Sequence, residues 1–432
     1  MKKIFNIISI IFILGAIVAS CDDKPNVYEF PVGEYFYEIP DVPVTEDYVI
    51  GVRYDTKGRD SLRNIWWDGG ATPQRRTLYT GTPVLGEYDT REDSATVIRQ
   101  HMDWGKKAGI DFFVISWGGH GYNDTILMQW ERLWREGDPR VVIRFDPNYL
   151  HNRTGQGTDT LQLNKLRMDT LRADFDSLYV HVMSKDYVYK NKNTGYPTMI
   201  LCEFTGKQGD ITDLNAFVNF FRAENKFTQK KNDLFIIGEL GGSVWTSPEN
   251  WGWRAEGDKY GIFKADTIST LEAMYTNDLQ HTNYDRYLGQ YSFLDYNYRY
   301  WQNTLAPLGK EYIPTIYPAF DNRIREPNST QFFIPRWREG VDTAYIVSPI
   351  QEGIIPGEGF VEELKGLGEQ YNFSDIKKNP YQEWANVAKR NVGPSRIIMV
   401  RSWNDFGTGN TLEPTKEYGE TYLDYTRRFF KK

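Results

Sequence analysis

Only two cysteines occur in the 432 residues, and the five histidines are scattered. With no Cys/His cluster and no H-E-x-x-H, the sequence implies no metal site and no cofactor. It also lacks G-x-S-x-G, so a serine nucleophile on a strand-to-helix turn has no support. The stretch from Gly51 to Gly58 follows the first predicted strand without a G-x-G-x-x-G, which argues against a dinucleotide fold. Positive charge is in deficit: 51 Lys+Arg against 58 Asp+Glu leave −7 at pH 7, the wrong sign for a nucleic-acid surface. There is no short internal repeat, no low-complexity block and no Pro/Gly/Ser-rich linker, so the mature chain reads as one domain. What is plentiful is aromatic: 29 Tyr, 24 Phe and 13 Trp make 15% of the chain, enough for a deep core and for flat platforms that suit sugar rings.

The first residues read as an address. Met1-Lys2-Lys3 is positive, and Ile4 to Ala19 is almost purely apolar, too short for a membrane span and right for secretion. The run ends in Val18-Ala19-Ser20-Cys21, similar to a bacterial lipobox, with Cys21 the lipidated first residue of the mature protein. Residues 1–20 are thus expected to be a lipoprotein signal peptide, 21–45 a tether and 46–432 the domain. The expected location is extracytoplasmic, on a bacterial outer membrane or the cell surface. Cys202 is left without a partner and lies in an apolar run, where a free thiol behaves as a small buried hydrophobe.

Apolar and aromatic runs alternate with amphipathic stretches. Strands are predicted at 48–54, 111–117, 141–145, 198–204, 234–240, 287–293, 312–317 and 396–403. Helices are predicted at 94–108, 124–135, 165–183, 214–223, 267–274 and 381–390. In the first helix Val97, Ile98, His101, Met102 and Trp104 recur at three- and four-residue steps; Asp93 or Ser94 can cap it and Gly109 can close it. Eight strands alternating with helices predict an α/β fold, a (β/α)8 TIM-type barrel with long loops at its C-terminal face.

In such a barrel the residues just past each strand face the ligand. Here these are Tyr54-Asp55, Trp117 and His120, Asp146, Glu203, Glu239, Asp295, Asp321 and Asn404-Asp405. Several acids in one mouth are costly unless hydrogen-bonded or employed, although an acid after a strand also serves as a helix cap. Paired carboxylates among aromatic walls are the makings of a glycosidase site.

Three segments then carry a resemblance. They are Val84-Leu85-Gly86-Glu87-Tyr88-Asp89 with His101-Met102 and Ser116-Trp117; Pro318-Ala319-Phe320-Asp321-Asn322-Arg323; and Trp403-Asn404-Asp405-Phe406-Gly407-Thr408-Gly409 running on to Glu413-Pro414 and Tyr418-Gly419. In this order they resemble glycoside hydrolase family 99 and its WbsX-like relatives, a group that includes endo-α-mannosidases. The resemblance implies a retaining, metal-independent glycosidase whose carboxylates act through the sugar's own 2-hydroxyl. Asp405 falls on the first glutamate of the family's last-strand motif, and Thr408 on the second. A threonine hydroxyl cannot replace a carboxylic acid as a proton donor. Asp146 matches a glutamate before proline that contacts sugar, and Glu203 an acidic position at the end of the fourth strand.

The resulting candidates are Asp405, Glu203 and Asp146 as catalytic residues. Tyr54, Trp117, His120, Glu239, Asp321, Arg323, Asn404 and Glu413 are candidates for substrate binding. Glu413 reads either as a structural carboxylate or as one reaching the pocket, and Trp66-Trp67 and Trp251-Gly252-Trp253 as sugar platforms or rim packing. The favoured function is hydrolysis of a polysaccharide or glycan by a lipid-anchored monomer. The alternatives are a degenerate glycan-binding barrel, because of Thr408, and a lipoprotein with a vestigial pocket.

Overall fold

The computed structural model describes residues 37–56, 82–146, 168–201, 214–240, 270–276, 287–320, 336–337 and 378–432. Strands β1 (Val49–Tyr54), β2 (Phe112–Trp117), β3 (Arg140–Phe145), β4 (Thr198–Leu201), β5 (Phe235–Leu240) and β6 (Ala273–Thr276) pair in chain order, all parallel. The parallel β7 (Glu311–Ile313) follows beside β6, while β8 (Thr315–Ile316) lies beside β9 (Ile397–Val400), which returns to β1. β7 and β8 are halves of one run broken at Pro314, which has no N–H to give a ladder. The Pro314 carbonyl still accepts from Met399 N at 2.9 Å. The two ends of the sheet therefore meet in one stretch of chain, and the ring closes with eight staves. This is a (β/α)8 TIM-type barrel.

Alternation along each strand separates two cores. Val49, Val114, Val142, Ile200, Ile237 and Met399 fill the inside of the ring. Ile50, Val52, Tyr54, Phe113, Ile115 and Ile143 face the surrounding helices. Gly51 is required by this arrangement, because a Cβ there would come within 2.2 Å of the Phe112 ring.

The helices are α1 (Ser94–Ala108), α2 (Tyr122–Leu133), α3 (Met168–Leu178), α4 (Leu214–Phe221), α5 (Tyr287–Leu305), α6 (Pro380–Asn391) and α7 (Thr421–Phe430). α1 has the predicted bounds, and Gly109 ends it in the left-handed conformation at φ 74°. Its N-terminus has no side-chain cap; the Asp93 carboxylate instead accepts from Asp89 N at 2.8 Å. α7 packs beside α1 and closes the outer layer. Among the described residues no helix is long and apolar enough to cross a membrane.

Two expectations are exchanged. The helix predicted at 267–274 gives way to strand β6, and the strand predicted at 287–293 is the first part of α5. The Tyr/Phe-rich run favours a strand by propensity. Over the longer span, however, Tyr291, Leu294, Tyr298, Trp301 and Leu305 recur at helical steps, and all are buried. The stretch read as a tether also ends differently. Ile39 is buried in the outer core, and Tyr37 donates its hydroxyl to Asp295 at 2.6 Å. Val42 N donates to Asn386 Oδ1 at 3.1 Å, and Asn386 Nδ2 to Asp41 at 2.9 Å. Residues 37–42 are thus part of the barrel wall.

Candidate active site

The parallel strands bring their carboxyl ends to one face, and alternation decides which side chains enter the ring there. On β1 the inward residue is Arg53, on β2 Ser116, on β3 Arg144 and on β5 Glu239. Arg144 grips Glu239 with both arms, Nε to Oε2 at 2.5 Å and Nη2 to Oε1 at 3.0 Å. Arg53 Nη1 stands 3.7 Å from Oε1, and Arg144 Nη1 donates to Ser116 Oγ at 3.4 Å. Burial opposes ionisation of Glu239, but Arg144, Arg53 and Arg401 outweigh it and hold the carboxyl below the usual range. Glu239, expected to contact substrate, is fully buried at the inward end of β5 and paired with Arg144. The signal that could have exposed this was a lone arginine inside the apolar run Val141-Val142-Ile143-Arg144-Phe145.

The last-strand motif forms a small hairpin. β10 (Asn404–Asp405) pairs antiparallel with β11 (Asn410–Thr411), Asp405 standing opposite Asn410. Ser402 ties the hairpin base: its hydroxyl donates to Asn410 O at 2.6 Å and accepts from Asp405 N at 2.8 Å. Thr408 Oγ1 donates to Asp405 Oδ2 at 2.8 Å. Thr408 therefore orients the Asp405 carboxylate. Arg336 clamps the outside, its Nη2 donating to Gly409 O at 3.0 Å and Thr411 O at 2.9 Å. Its guanidinium lies over the Tyr418 and Tyr422 rings.

Behind the hairpin lies a buried polar cluster. Asn404 uses its whole amide: Oδ1 accepts from Asp55 N at 2.9 Å, and Nδ2 donates to Asp55 O and to Tyr88 Oη, both at 2.9 Å. Tyr88 in turn donates to Glu413 Oε2 at 2.6 Å. Burial, then the Glu413 charge, drives the Tyr88 phenol well above its ordinary range, so it remains a donor. Glu413 Oε1 stands 3.3 Å from His101 Nε2, close enough to interact electrostatically but not aligned as a hydrogen bond. His101 Nδ1 meets Tyr54 Oη at 2.9 Å. Glu413 is thus buried beside α1, bonded to Tyr88 and close to His101. His101 and Tyr88 stand in a segment that carries the family resemblance, but neither is among the site candidates named from the sequence.

Tyr54 is corrected for the same reason of parity. Arg53 enters the ring, so Tyr54 turns to the helices, where its ring meets Phe113 and Trp130 edge-on. Trp117 also faces outward: it is fully buried, stacks on Phe145 and donates from Nε1 to Asp124 Oδ1 at 2.8 Å. Both rings, expected to contact substrate, lie in the core between the strands and the helices. His120 stays partly exposed in the loop after β2, with Nδ1 2.9 Å from Asp124 and Nε2 3.4 Å from Asp174. Asp146 follows β3 and is half-buried, its N donating to Trp117 O at 2.9 Å. Asp295 is inside α5 rather than at a strand end; there it accepts from Tyr37, Arg390 and Asn391, which hold it ionised against its burial. Glu203, Asp321, Arg323, Cys21, Trp66-Trp67 and Trp251-Gly252-Trp253 lie outside the described residues. Among the described residues no three His, Cys, Asp or Glu side chains are grouped to hold a metal ion.

The family described as "Glycosyltransferase WbsX" matches residues 370–426, the stretch that runs from before α6 into α7 and contains the hairpin. No curated protein matches the sequence. Among solved structures, a glycoside hydrolase-like protein is similar at 19% identity with a TM-score of 0.62, covering 93% of this chain and 100% of its own. The GH99 endo-alpha-mannosidase from Bacteroides thetaiotaomicron, in complex with bis-tris propane, is similar at 16% identity with a TM-score of 0.51. That match covers 89% of this chain and 97% of the other. The structural likenesses carry the fold, and the WbsX match carries the motif on its last stave. The barrel expected from the resemblance is that of the GH99 structure, and the WbsX-like part of the resemblance is matched over residues 370–426.

Proposed function

We propose that the protein is a glycoside hydrolase acting outside the cell on a polysaccharide or glycan, held at the membrane by lipid on Cys21. The observation that carries this reading is Asp405. It stands on the hairpin that follows the last stave, past the carboxyl end of β9, with its carboxylate oriented by the Thr408 hydroxyl and its backbone held by Ser402. By the family's retaining route, Asp405 would assist attack by the sugar's 2-hydroxyl on the anomeric carbon. A second carboxylate, from Asp146 or Glu203, would protonate the leaving oxygen. No metal or cofactor enters this scheme.

A second reading is favoured by one contact. Thr408 occupies the position of the second family glutamate and is engaged with Asp405, so the pair at the hairpin holds one acid instead of two. That arrangement suits a barrel that binds glycan without cleaving it. One experiment separates the readings: reducing-end release and glycan affinity, measured together on a polysaccharide panel. Under the hydrolase reading, Asp405→Asn lowers release by about 10²–10⁴-fold while the protein stays folded. Affinity in the wild type with no release selects the binding reading, and full activity in Asp405→Asn removes Asp405 from the mechanism.

A further inference from the structure

A cavity of about 500 Å³ opens at the amino end of the barrel, the end away from Asp405. Asp111, just before β2, and Arg140, the first residue of β3, both line it. Asp405 lies past the carboxyl end of β9, and the six residues of β2 or β3 span roughly 20 Å, so one sugar ring cannot touch both places. The volume falls within the range of roughly 300–1,000 Å³ that holds small molecules. No residue of this lining has a part in the chemistry proposed for Asp405.

The walls come from the end of α2, the starts of β2 and β3 and the segment before β4, and they are tied in place. Trp134 caps α2, and its Nε1 donates to Asp138 O at 3.3 Å. Arg140 lays its guanidinium 5.6 Å from the centre of the Trp134 ring and donates from Nε to Asp186 O at 3.1 Å. Asp111 Oδ2 accepts from Ile50 N at 2.8 Å and from Lys431 Nζ at 2.7 Å. Tyr189 N donates to Val141 O at 2.9 Å, and the Tyr189 ring packs on Phe112 with 4.6 Å between centres. Walls held in this way lose little freedom when a ligand enters.

The lining decides the class of ligand. Three cations, Arg140, Lys190 and Lys192, are matched by three carboxylates, Asp111, Glu136 and Asp186, so the cavity has no net charge with which to hold an ion. It offers instead many donors and many acceptors beside two aromatic rings, Trp134 and Tyr189. A sugar uses all three, because each hydroxyl both donates and accepts and the C–H face of the ring lies against an aromatic side chain. We propose that this cavity is a second saccharide-binding site, which takes a neutral sugar unit. It does not depend on hydrolysis at Asp405; it holds one stretch of a long glycan while another is free to reach the mouth of the barrel.

The test uses the full chain carrying Asp405→Asn, so that turnover does not interfere. Calorimetric affinity is measured for soluble α-mannan, β-mannan, xylan and polygalacturonate and for sulfate, before and after two changes: Trp134→Ala, and Glu136→Ala together with Lys192→Ala. Thermal midpoints confirm folding. Affinity for at least one neutral polymer is expected to weaken about tenfold in Trp134→Ala and about threefold in the double variant. Unchanged affinity in both folded variants overturns the site. A loss confined to polygalacturonate or sulfate overturns it as well, as does the absence of binding to every neutral polymer before the changes. Reducing-end release by the wild-type chain is read separately and judges the hydrolase reading, so either can fail alone. Should Trp134→Ala not fold, the double variant, whose two side chains are exposed, supplies the comparison.

Discussion

Glu239 and Asp405 both stand at the carboxyl ends of staves, and their neighbours treat them in opposite ways. Glu239 is fully buried and forked by Arg144, with Arg53 close by. Asp405 keeps a little exposure and is held by a threonine hydroxyl, with an amide beside it. A guanidinium fork fixes the Glu239 carboxylate as a buried charge, whereas the Thr408 hydroxyl sets the direction of the Asp405 carboxylate. Position at a strand end therefore names an acid as a candidate, and its partners decide its use. Glu383 on α6 shows a third treatment. It too is buried, but Lys378 is no closer than 4.0 Å, and burial pushes its carboxyl up to about 7.

The largest effect that would break this comparison is on Glu239. Removing its charge in Glu239→Gln strands two guanidiniums around a neutral amide and is expected to cost about 3–5 kcal/mol in urea unfolding. Replacing Glu239 and Arg144 together by apolar residues of similar volume recovers much of that loss. A small loss in the single variant would mean that the arginines have other uses and that Glu239 belongs with Asp405.

Next in size is the pH dependence set by Glu383. Its folded value lies above the ordinary 4.5, so between those limits the folded state holds more protons than the unfolded one. Stability is therefore expected to fall as pH rises from about 4.5 to about 7, by up to about 3 kcal/mol. Urea midpoints on either side of the window, compared with a Glu383→Gln variant expected to show a smaller slope, check this; Glu272 and Glu311, also raised by burial, keep part of it in both proteins. The Lys389 ammonium, pushed down by burial to about 8, adds an opposite trend only at higher pH.

The smallest expected effect concerns the helix side of β1. Tyr54→Phe removes one hydrogen bond to His101 and should cost about 1 kcal/mol, with glycan affinity unchanged. A large loss of affinity would place Tyr54 in the mouth and undo the parity argument.

Much of this was legible along the chain. Strand–helix alternation gave the barrel, and the 403–414 segment singled out Asp405 as a candidate without foretelling the hairpin that carries it. The exchange of helix and strand between 267 and 293 was not, because a four-residue strand buried on both faces has no alternation to read and an aromatic helix mimics strand propensity. Arg144 and Glu239 are ninety-five residues apart, and no local pattern joins them. The same holds for the Tyr88–Glu413 bond, whose members come from the two ends of the domain.

By itself, the order of residues determined which side chains share a strand face and that acids gather after strands, since both depend only on local period. Closure of the ring decided which of those acids meets a guanidinium or a hydroxyl. That depends on contacts between staves far apart in sequence, and Coulomb and hydrogen-bond energies are set by such distances rather than by chain order.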